Sequence, residues 1–280
     1  YTANLSVLSS IPTRDATIIY DELAHSCIKD GARLSLAKRL SFKHNDLNDL
    51  EKKIRKAYGK VFIAVESIYS MDGDCCPLND LVALTEKYNA TIILDEAHST
   101  GVMGKDGSGL SVSAGLHERI GVRIYTFGKA MGIHGACVAG SKILRQYLIN
   151  FARPFVYTTA MPPHNLTAID CAFNYLRENI SLQRSLTELT QAYLKEVSSL
   201  TNRTQSLSSI QAIIIPGNGN TIAAAKKLQH SGFDVRPILS PTVQEGSERL
   251  RICLHTFNTV PQIKALAAEL KQLSHSEFKV

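Results

Sequence analysis

The fold is indicated by two short apolar runs, Val61-Phe62-Ile63-Ala64-Val65 and Thr91-Ile92-Ile93-Leu94, with an amphipathic stretch from Leu78 to Tyr88 between them. Another amphipathic stretch, from Asp46 to Ala57, precedes the first run, and a third apolar run follows at Val122 to Phe127. Short apolar runs that alternate with helical periods are typical of βαβ units, in which helices cover both faces of a parallel sheet. We therefore predict an α/β fold with a mostly parallel sheet.

The pattern changes after Pro162-Pro163, where two long helical stretches follow each other without a strand between them. The first extends to about Asn179 and the second runs from Ser185 to Leu200. Later segments read as three strands and two helices: Ile210 to Pro216, Phe233 to Pro237 and Leu250 to Leu254, then Thr221 to His230 and Val260 to Leu273. The sequence thus predicts a large domain over residues 1–165 and a smaller α+β domain over residues 166–280.

The composition is that of a folded globular protein. Among 280 residues, 44% are hydrophobic and 20% are charged, and 31 Lys and Arg against 25 Asp and Glu give a net charge of +6. The basic residues are interspersed with acidic ones, as between Asp49 and Arg55, and do not indicate nucleic-acid binding. No apolar run approaches the roughly 20 residues of a membrane-spanning helix, so we expect a soluble protein without a membrane partner.

The six cysteines are too sparse for a disulfide scaffold and form no CxxC pair, which favours a reducing, cytoplasmic location. The adjacent Cys75-Cys76 could be a redox or metal feature, or two packed side chains. No His and Cys spacing suits zinc, so we predict no metal site. The chain opens on Tyr1 without a basic and apolar leader, so we expect no signal peptide and a fragment or processed form.

Chemically useful residues follow three of the predicted strands. Glu66 follows the first strand, Asp95-Glu96-Ala97-His98 the second, and Thr126-Phe127-Gly128-Lys129 the third. In parallel α/β sheets ligands bind beyond the carboxyl ends of the strands. A carboxylate, an imidazole and an amine are therefore expected at one edge of the sheet.

These three groups suit one particular cofactor. The amine of Lys129 can form a Schiff base with an aldehyde, and the carboxylate of Asp95 can hold a pyridine nitrogen protonated, so that the ring accepts electrons. Thr126, three residues before Lys129, is placed to offer a hydroxyl to a phosphate. The combination predicts pyridoxal 5'-phosphate (PLP).

The same segments resemble the α-oxoamine synthases, PLP-dependent enzymes of fold type I (aspartate aminotransferase-like) that condense an amino acid with an acyl thioester. The resemblance is carried in the expected order by Glu66-Ser67-Ile68-Tyr69-Ser70-Met71-Asp72-Gly73-Asp74, Asp95-Glu96-Ala97-His98-Ser99-Thr100-Gly101-Val102, Thr126-Phe127-Gly128-Lys129 and Thr159-Ala160-Met161-Pro162-Pro163. It extends from Tyr1 to about Leu273. The lysine motif and Ser240-Pro241-Thr242-Val243 are most similar to the members that join L-alanine to a pimeloyl thioester in biotin biosynthesis.

The resemblance implies roles for individual residues at the cofactor. Lys129 would form the Schiff base and later move the α-proton of the substrate. Asp95 would pair with the pyridinium nitrogen, His98 would bond the ring hydroxyl, and His25 would stack on the ring face. Thr126 would contact the phosphate.

The resemblance also implies residues around the substrate. Ser70 would contact the cofactor, Glu66 would line the site, and Arg251 would bind the amino acid carboxylate with Thr242 nearby. Arg249 competes with Arg251, because alternation along the strand puts both on one face. The family register favours Arg251.

Further expectations follow from the family. Its members are homodimers with the active site at the subunit interface. Against their pattern, the amino-terminal arm and a glycine-rich segment are missing here, and Ile133-His134 stands where many relatives carry smaller residues. His134 could belong to the substrate site, or could have a packing or surface role.

Alternative functions are those of glycine C-acetyltransferase, serine palmitoyltransferase or 5-aminolevulinate synthase, or of a truncated, non-catalytic partner chain. The acyl donor could be coenzyme A or a carrier protein.

Overall fold

The structure, a computed structural model, describes residues 1–276, and the side chains up to residue 273. Its elements in chain order are α1 (Thr2–Ser10), β1 (Thr17–Asp21), α2 (Ser26–Leu34), β2 (Lys38–Phe42), α3 (Leu47–Arg55), β3 (Val61–Glu66), α4 (Leu78–Lys87), β4 (Thr91–Asp95), α5 (Leu110–Ser113), β5 (Val122–Thr126), β6 (Ala136–Gly140), α6 (Lys142–Phe151), α7 (Arg153–Val156), α8 (Pro163–Glu178), α9 (Ser181–Glu196), β7 (Ile210–Ile214), α10 (Asn218–His230), β8 (Arg236–Ile238), β9 (Arg249–Cys253) and α11 (Val260–Ser276).

The residue contacts divide the chain into two compact units. The first consists of Tyr1–Tyr69 and Cys76–Ile180, and the second of Ser70–Cys75 and the chain from Ser181 onward. Helix α8 thus groups with the first unit, and the short segment after β3 groups with the second. The domain boundary near residue 165 stays a prediction.

The first unit contains a six-stranded sheet in the order β2-β1-β3-β4-β5-β6. All neighbours pair in parallel except β5 and β6, which are antiparallel. The mostly parallel sheet is confirmed, and so are the three predicted strands, which lie side by side as β3, β4 and β5. All six residues of β3 are buried, as expected for a strand that helices cover on both faces.

The predicted helices of the first unit form at the expected positions. Helix α3 begins after Asp46, whose carboxylate accepts hydrogen bonds from the backbone N–H groups of Asn48 and Asp49. Pro77 immediately precedes α4, and Asn89, with a φ of 52°, lies just beyond its end. The left-handed backbone at Asn89 suits a helix stop, because asparagine tolerates that region well.

Three strands of the sheet were not predicted. Strand β1 has five residues, as many as the predicted β4 and β5, so its length does not explain why it was not predicted. Strand β6 is made of small residues that carry little strand signal. Strand β2 is an edge strand in which three of five residues are exposed, so its apolar content is low.

The second unit has a three-stranded antiparallel sheet in the order β7-β9-β8. It packs with α9, α10 and α11 around a core that includes Tyr193, Leu228, Leu250 and Leu270. The predicted α+β character of this part is confirmed. Strand β8 begins later than predicted, at Arg236, because the preceding residues form a turn in which the Val235 N–H donates to the Phe233 carbonyl at 2.8 Å.

Three further observations, on membrane-spanning helices, metal ligands and cysteines, concern the described part of the chain. None of its helices is long and apolar enough to cross a bilayer. Within residues 1–276, no group of three or more His, Cys, Asp or Glu side chains is arranged to hold a metal ion. Cys76 packs in the core against the sheet, which favours the packed interpretation of the Cys75-Cys76 pair.

Candidate active site

The carboxyl ends of β3, β4 and β5 lie side by side. In the parallel register Glu66 is opposite Asp95, and Asp95 is opposite Ile124, two residues before Thr126. Parallel strands place their carboxyl ends at one edge of the sheet, so the polar residues that end these strands share that edge. This arrangement confirms the expectation from the sequence that the three strand ends are neighbours.

The loop after β5 brings Lys129 to His98, which lies three residues beyond the end of β4. The Nζ atom of Lys129 lies 2.8 Å from Nε2 of His98. The loop is closed by backbone hydrogen bonds from Ile133 to Phe127 at 2.9 Å and from Gly132 to Lys129 at 3.0 Å. Gly132 has a φ of +66°, which a glycine adopts at little cost. The Lys129 side chain is exposed and reaches a half-buried His98.

The carboxylate of Asp95 is 4% exposed and bonded at both oxygens. Its Oδ1 accepts from the backbone N–H of Ala97 at 2.8 Å, and its Oδ2 accepts from Nδ2 of Asn4 at 2.6 Å. No sequence pattern indicates a role for Asn4, because its contact joins residues 91 positions apart. Two donors in fixed directions orient this carboxylate within the edge of the sheet.

A second carboxyl group lies beside Asp95. Glu66 is 2% exposed, and its Oε1 accepts the backbone N–H of His25 at 2.5 Å. Burial, followed by the negative charge of Asp95, raises the pKa of Glu66 to about 8. Glu66 is therefore protonated and neutral at pH 7, beside an aspartate that is held by donors.

His25 caps the amino terminus of α2. Its Nδ1 accepts the backbone N–H of Cys27 at 3.2 Å, and the Cys27 Sγ lies 2.9 Å from the same nitrogen. Because Nδ1 accepts, the ring proton resides on Nε2. Partial burial, and then the nearby Lys129 charge, lower the pKa of His25. Burial raises the pKa of the Cys27 thiol to about 12, so the pair is neutral at pH 7.

Thr126 supplies a hydroxyl that the protein leaves unused. Its Oγ1 is buried, and no residue among the described 276 hydrogen-bonds to it. A buried hydroxyl without a partner is unfavourable unless a ligand completes it. The amine, the oriented carboxylate and this hydroxyl are the groups that PLP requires, so the residues at this edge of the sheet fit the cofactor.

The two competing arginines of the second unit have different partners. Arg249 is buried, and its Nη1 lies 2.6 Å from Oδ1 of Asp72 and 3.3 Å from the carbonyl oxygen of Met71. Arg251 is half-buried, and its Nε donates to the carbonyl oxygen of Ser70 at 2.7 Å. Among residues 1–276 nothing pairs with the terminal nitrogens of Arg251. Arg249 thus takes part in an internal ion pair, whereas the terminal nitrogens of Arg251 have no partner within residues 1–276.

The remaining predicted residues are less constrained. Thr242 is exposed in the loop before β9, and its backbone N–H donates to the Leu239 carbonyl at 2.9 Å. Ser70 belongs to the second unit, where its carbonyl oxygen bonds Arg251. His134 is exposed in the loop between β5 and β6, so its position does not decide between a substrate role and a surface role.

Comparison with known families decides the family of the chain. Residues 1–268 match the family model for the aminotransferases of class I and II. The chain belongs to the class I and II aminotransferase family. This membership confirms the predicted fold type and identifies PLP as the cofactor.

Sequence relatives narrow the assignment within the family. An 8-amino-7-oxononanoate synthase of Emericella nidulans is 37% identical over 288 residues, which cover 95% of this chain and 70% of the relative. An 8-amino-7-oxononanoate synthase of Lysinibacillus sphaericus is 35% identical and covers 98% of this chain and 71% of the relative. The resemblance to the α-oxoamine synthases is confirmed.

Solved structures of α-oxoamine synthases are similar to this chain. An 8-amino-7-oxononanoate synthase from Francisella tularensis has a TM-score of 0.86 and 30% identity and covers 99% of this chain and 81% of its own. A serine palmitoyltransferase from Sphingomonas wittichii has a TM-score of 0.91 and 26% identity, with 99% and 70% covered. Another serine palmitoyltransferase, solved with PLP, has a TM-score of 0.92 and 25% identity, with 99% and 71% covered.

Proposed function

We propose that this chain condenses L-alanine with a pimeloyl thioester, of coenzyme A or a carrier protein, and forms 8-amino-7-oxononanoate for biotin biosynthesis. The relatives named 8-amino-7-oxononanoate synthase support the choice of substrates. The observation that carries the chemistry is the Lys129 amine, 2.8 Å from His98 and on the sheet edge that holds the buried Asp95. That set of groups serves PLP-dependent carbon–carbon bond formation.

Five residues of the first unit would hold the cofactor. Lys129 would bind its aldehyde carbon, and Asp95 would keep the pyridine nitrogen protonated. His98 would bond the ring hydroxyl, His25 would stack on the ring, and Thr126 would donate its unused hydroxyl to a phosphate oxygen. PLP, when bound, supplies an electron sink that stabilises negative charge on the α-carbon of the amino acid.

The residues of the chain then act on the substrates. The Lys129 amine, released when the amino group of alanine takes its place at the cofactor, would accept the proton from the α-carbon of alanine, which would then form a bond to the thioester carbonyl carbon. The thiol leaves with a proton, the original carboxylate leaves as CO₂, and the α-carbon regains a proton. A placed base contributes roughly 10²- to 10⁴-fold to such a step. Neutral Glu66 lines the site and adds no second negative charge beside Asp95.

Arg251 is proposed to bind the carboxylate of alanine, with Thr242 and Ser70 nearby in the second unit. The hydrogen bond from Nε to the Ser70 carbonyl oxygen fixes the plane of the guanidinium. The terminal nitrogens of Arg251 have no hydrogen-bond partner among the described residues. A fixed fork of two N–H groups matches a carboxylate. The ion pair between Arg249 and Asp72 supports the choice of Arg251 for this role.

We further propose a homodimer with the active site at the subunit interface. Helices α6, α7 and α8 of the first unit have no buried residue. They expose large apolar side chains, among them Ile143, Phe151 and Phe155, which are 78%, 61% and 58% exposed. Exposed apolar surface of this extent is typical of an interaction surface. Sedimentation velocity should show a species of twice the chain mass, and a monomer at all concentrations would contradict the dimer.

A cytoplasmic location is proposed on the state of the cysteines. In the described part of the chain, the exposed Cys137, Cys171 and Cys253 form no disulfide. Exposed thiols persist in reducing compartments and oxidise elsewhere. Fractionation of the source cells should place the chain with the cytoplasmic proteins.

The function is tested by supplying the purified chain with PLP, L-alanine and pimeloyl-coenzyme A and by measuring 8-amino-7-oxononanoate by mass spectrometry. The expected result is product formation with L-alanine that exceeds the reaction with glycine or L-serine. A serine palmitoyltransferase activity is the second candidate, because several structural relatives have that name. Condensation of L-serine with palmitoyl-coenzyme A would favour it. Bound PLP without turnover on any substrate would favour a non-catalytic partner chain.

A further inference from the structure

Asn4 is a buried polar residue that the assigned roles do not use. It lies in the first turn of α1 and is 1% exposed. Helix α1 packs closely on α2 at this point, since a Cβ atom on Gly31 would lie 2.9 Å from Leu8 Cβ and 3.2 Å from the Asn4 carbonyl oxygen. The close approach of the two helices fixes the place of the Asn4 backbone.

The amide of Asn4 has one partner. Its Nδ2 donates to Oδ2 of Asp95 at 2.6 Å, and within residues 1–276 its Oδ1 has none. The reverse amide orientation would place an oxygen against the carboxylate, which is repulsive. Asp95 therefore determines which way the Asn4 amide points.

Packing alone does not account for an asparagine at this position. Asparagine is a weaker helix former than alanine or leucine, and a buried carbonyl oxygen without a partner is unfavourable. Val7 and Leu8 are buried apolar residues of the same helix. An apolar residue at position 4 would enlarge the buried apolar surface that they form. The contact with Asp95 is the one favourable polar interaction that the described structure gives to the Asn4 side chain.

We propose that Asn4 is a positioning residue for Asp95. It holds Oδ2 from one side while the Ala97 N–H holds Oδ1, so the carboxylate is fixed in direction for the pyridinium nitrogen of PLP. The inference deepens the proposed function, because it takes PLP as the ligand of Asp95.

The first test compares Asn4→Ala with Ser6→Ala in the full chain. Ser6 is a matched control, because it is a buried polar residue of the same helix whose Oγ donates only within the helix, to the Thr2 carbonyl at 2.9 Å. Titration of each variant with PLP, followed by the absorbance of the bound cofactor, gives the dissociation constant. Asn4→Ala should weaken PLP binding about 10- to 100-fold, as expected for a lost hydrogen bond to a charged group, and Ser6→Ala less than about twofold. Equal effects of both substitutions, or wild-type binding in Asn4→Ala, would overturn the proposal.

The second test needs no cofactor. Urea midpoints are measured for cofactor-free protein carrying Asn4→Ala, Asp95→Ala or both. If the two side chains interact, the shift caused by Asn4→Ala should be clearly smaller in the Asp95→Ala background than in the wild type. Additive shifts would overturn the proposal. If the wild type bound no PLP, the proposed function would fail, while this cycle would still decide whether Asn4 acts on Asp95.

Discussion

The amine of Lys129 lies 2.8 Å from Nε2 of His98, although the two residues are 31 positions apart. They meet because β4 and β5 are parallel neighbours whose carboxyl ends share one edge of the sheet. The tight loop from Phe127 to Ile133 then turns Lys129 back toward the turn that carries His98. The pair places a nucleophilic amine beside a group that can accept or donate a proton.

Replacement of this amine should remove both cofactor attachment and turnover. Lys129→Ala is expected to lose the absorbance of covalently bound PLP and all product formation, because alanine offers neither a nucleophile nor a base. Lys105→Ala, at an exposed loop position, is the control and should behave as wild type. A complete bound-cofactor spectrum in Lys129→Ala would contradict the assignment.

Neutralising the buried aspartate should weaken the cofactor site without loss of the fold. Asp95→Asn keeps the shape of the side chain but removes the negative charge that would pair with a pyridinium. Turnover should fall by about 10²- to 10³-fold, and PLP should bind more weakly. Steady-state kinetics and equilibrium dialysis measure the two effects. Near-normal rates would mean that the partner of the pyridine nitrogen lies elsewhere.

The two arginines of β9 should separate into a binding role and a structural role. Arg251→Gln is expected to raise KM for L-alanine about 10- to 100-fold, since a charged fork for the carboxylate is lost, and to leave the thermal midpoint almost unchanged. Arg249→Gln should instead lower the free energy of unfolding by about 3 kcal/mol, because it leaves Asp72 without its partner. Kinetics and urea unfolding on both variants test this. The reverse assignment would follow if Arg249→Gln raised KM and left stability intact.

The pKa of Glu66 predicts a pH dependence of stability. The folded chain keeps this carboxyl protonated up to about pH 8, whereas the unfolded chain releases the proton near the ordinary pKa of 4.5. Between these values the folded state binds more protons, so stability should fall as the pH rises, by at most about 1.4 kcal/mol per pH unit. Glu66→Gln should flatten this fall in cofactor-free protein, and Glu245→Gln, at an exposed position, should not. Parallel pH profiles of the wild type and Glu66→Gln would show that Glu66 is ionised in the folded chain.

The sequence was sufficient to predict the strands that carry the site. The apolar runs of β3 and β4 contain few polar residues, because both faces of these strands are buried, and such runs are read without tertiary information. The edge strands β2 and β6 were not predicted, because an edge strand depends on its neighbour for stability more than on its own pattern.

Contacts between distant residues limited the prediction of the site. Strand alternation could not separate Arg249 from Arg251, since both side chains share one face. In the structure the two arginines have different partners, and the partner of Arg249, Asp72, lies 177 positions away in the chain. The role of Asn4 could not be predicted for the same reason, because its partner Asp95 is far away in the sequence.

PLP-dependent use of L-alanine by this chain can be measured by titrating PLP into the chain and then adding L-alanine, glycine or L-serine while the cofactor absorbance is recorded. We expect stoichiometric binding that disappears in Lys129→Ala, and a spectral change that L-alanine produces at lower concentration than glycine or L-serine. A stronger response to glycine or L-serine would contradict the proposed substrate, and the absence of a bound-cofactor spectrum in the wild type would contradict the proposed function as a whole.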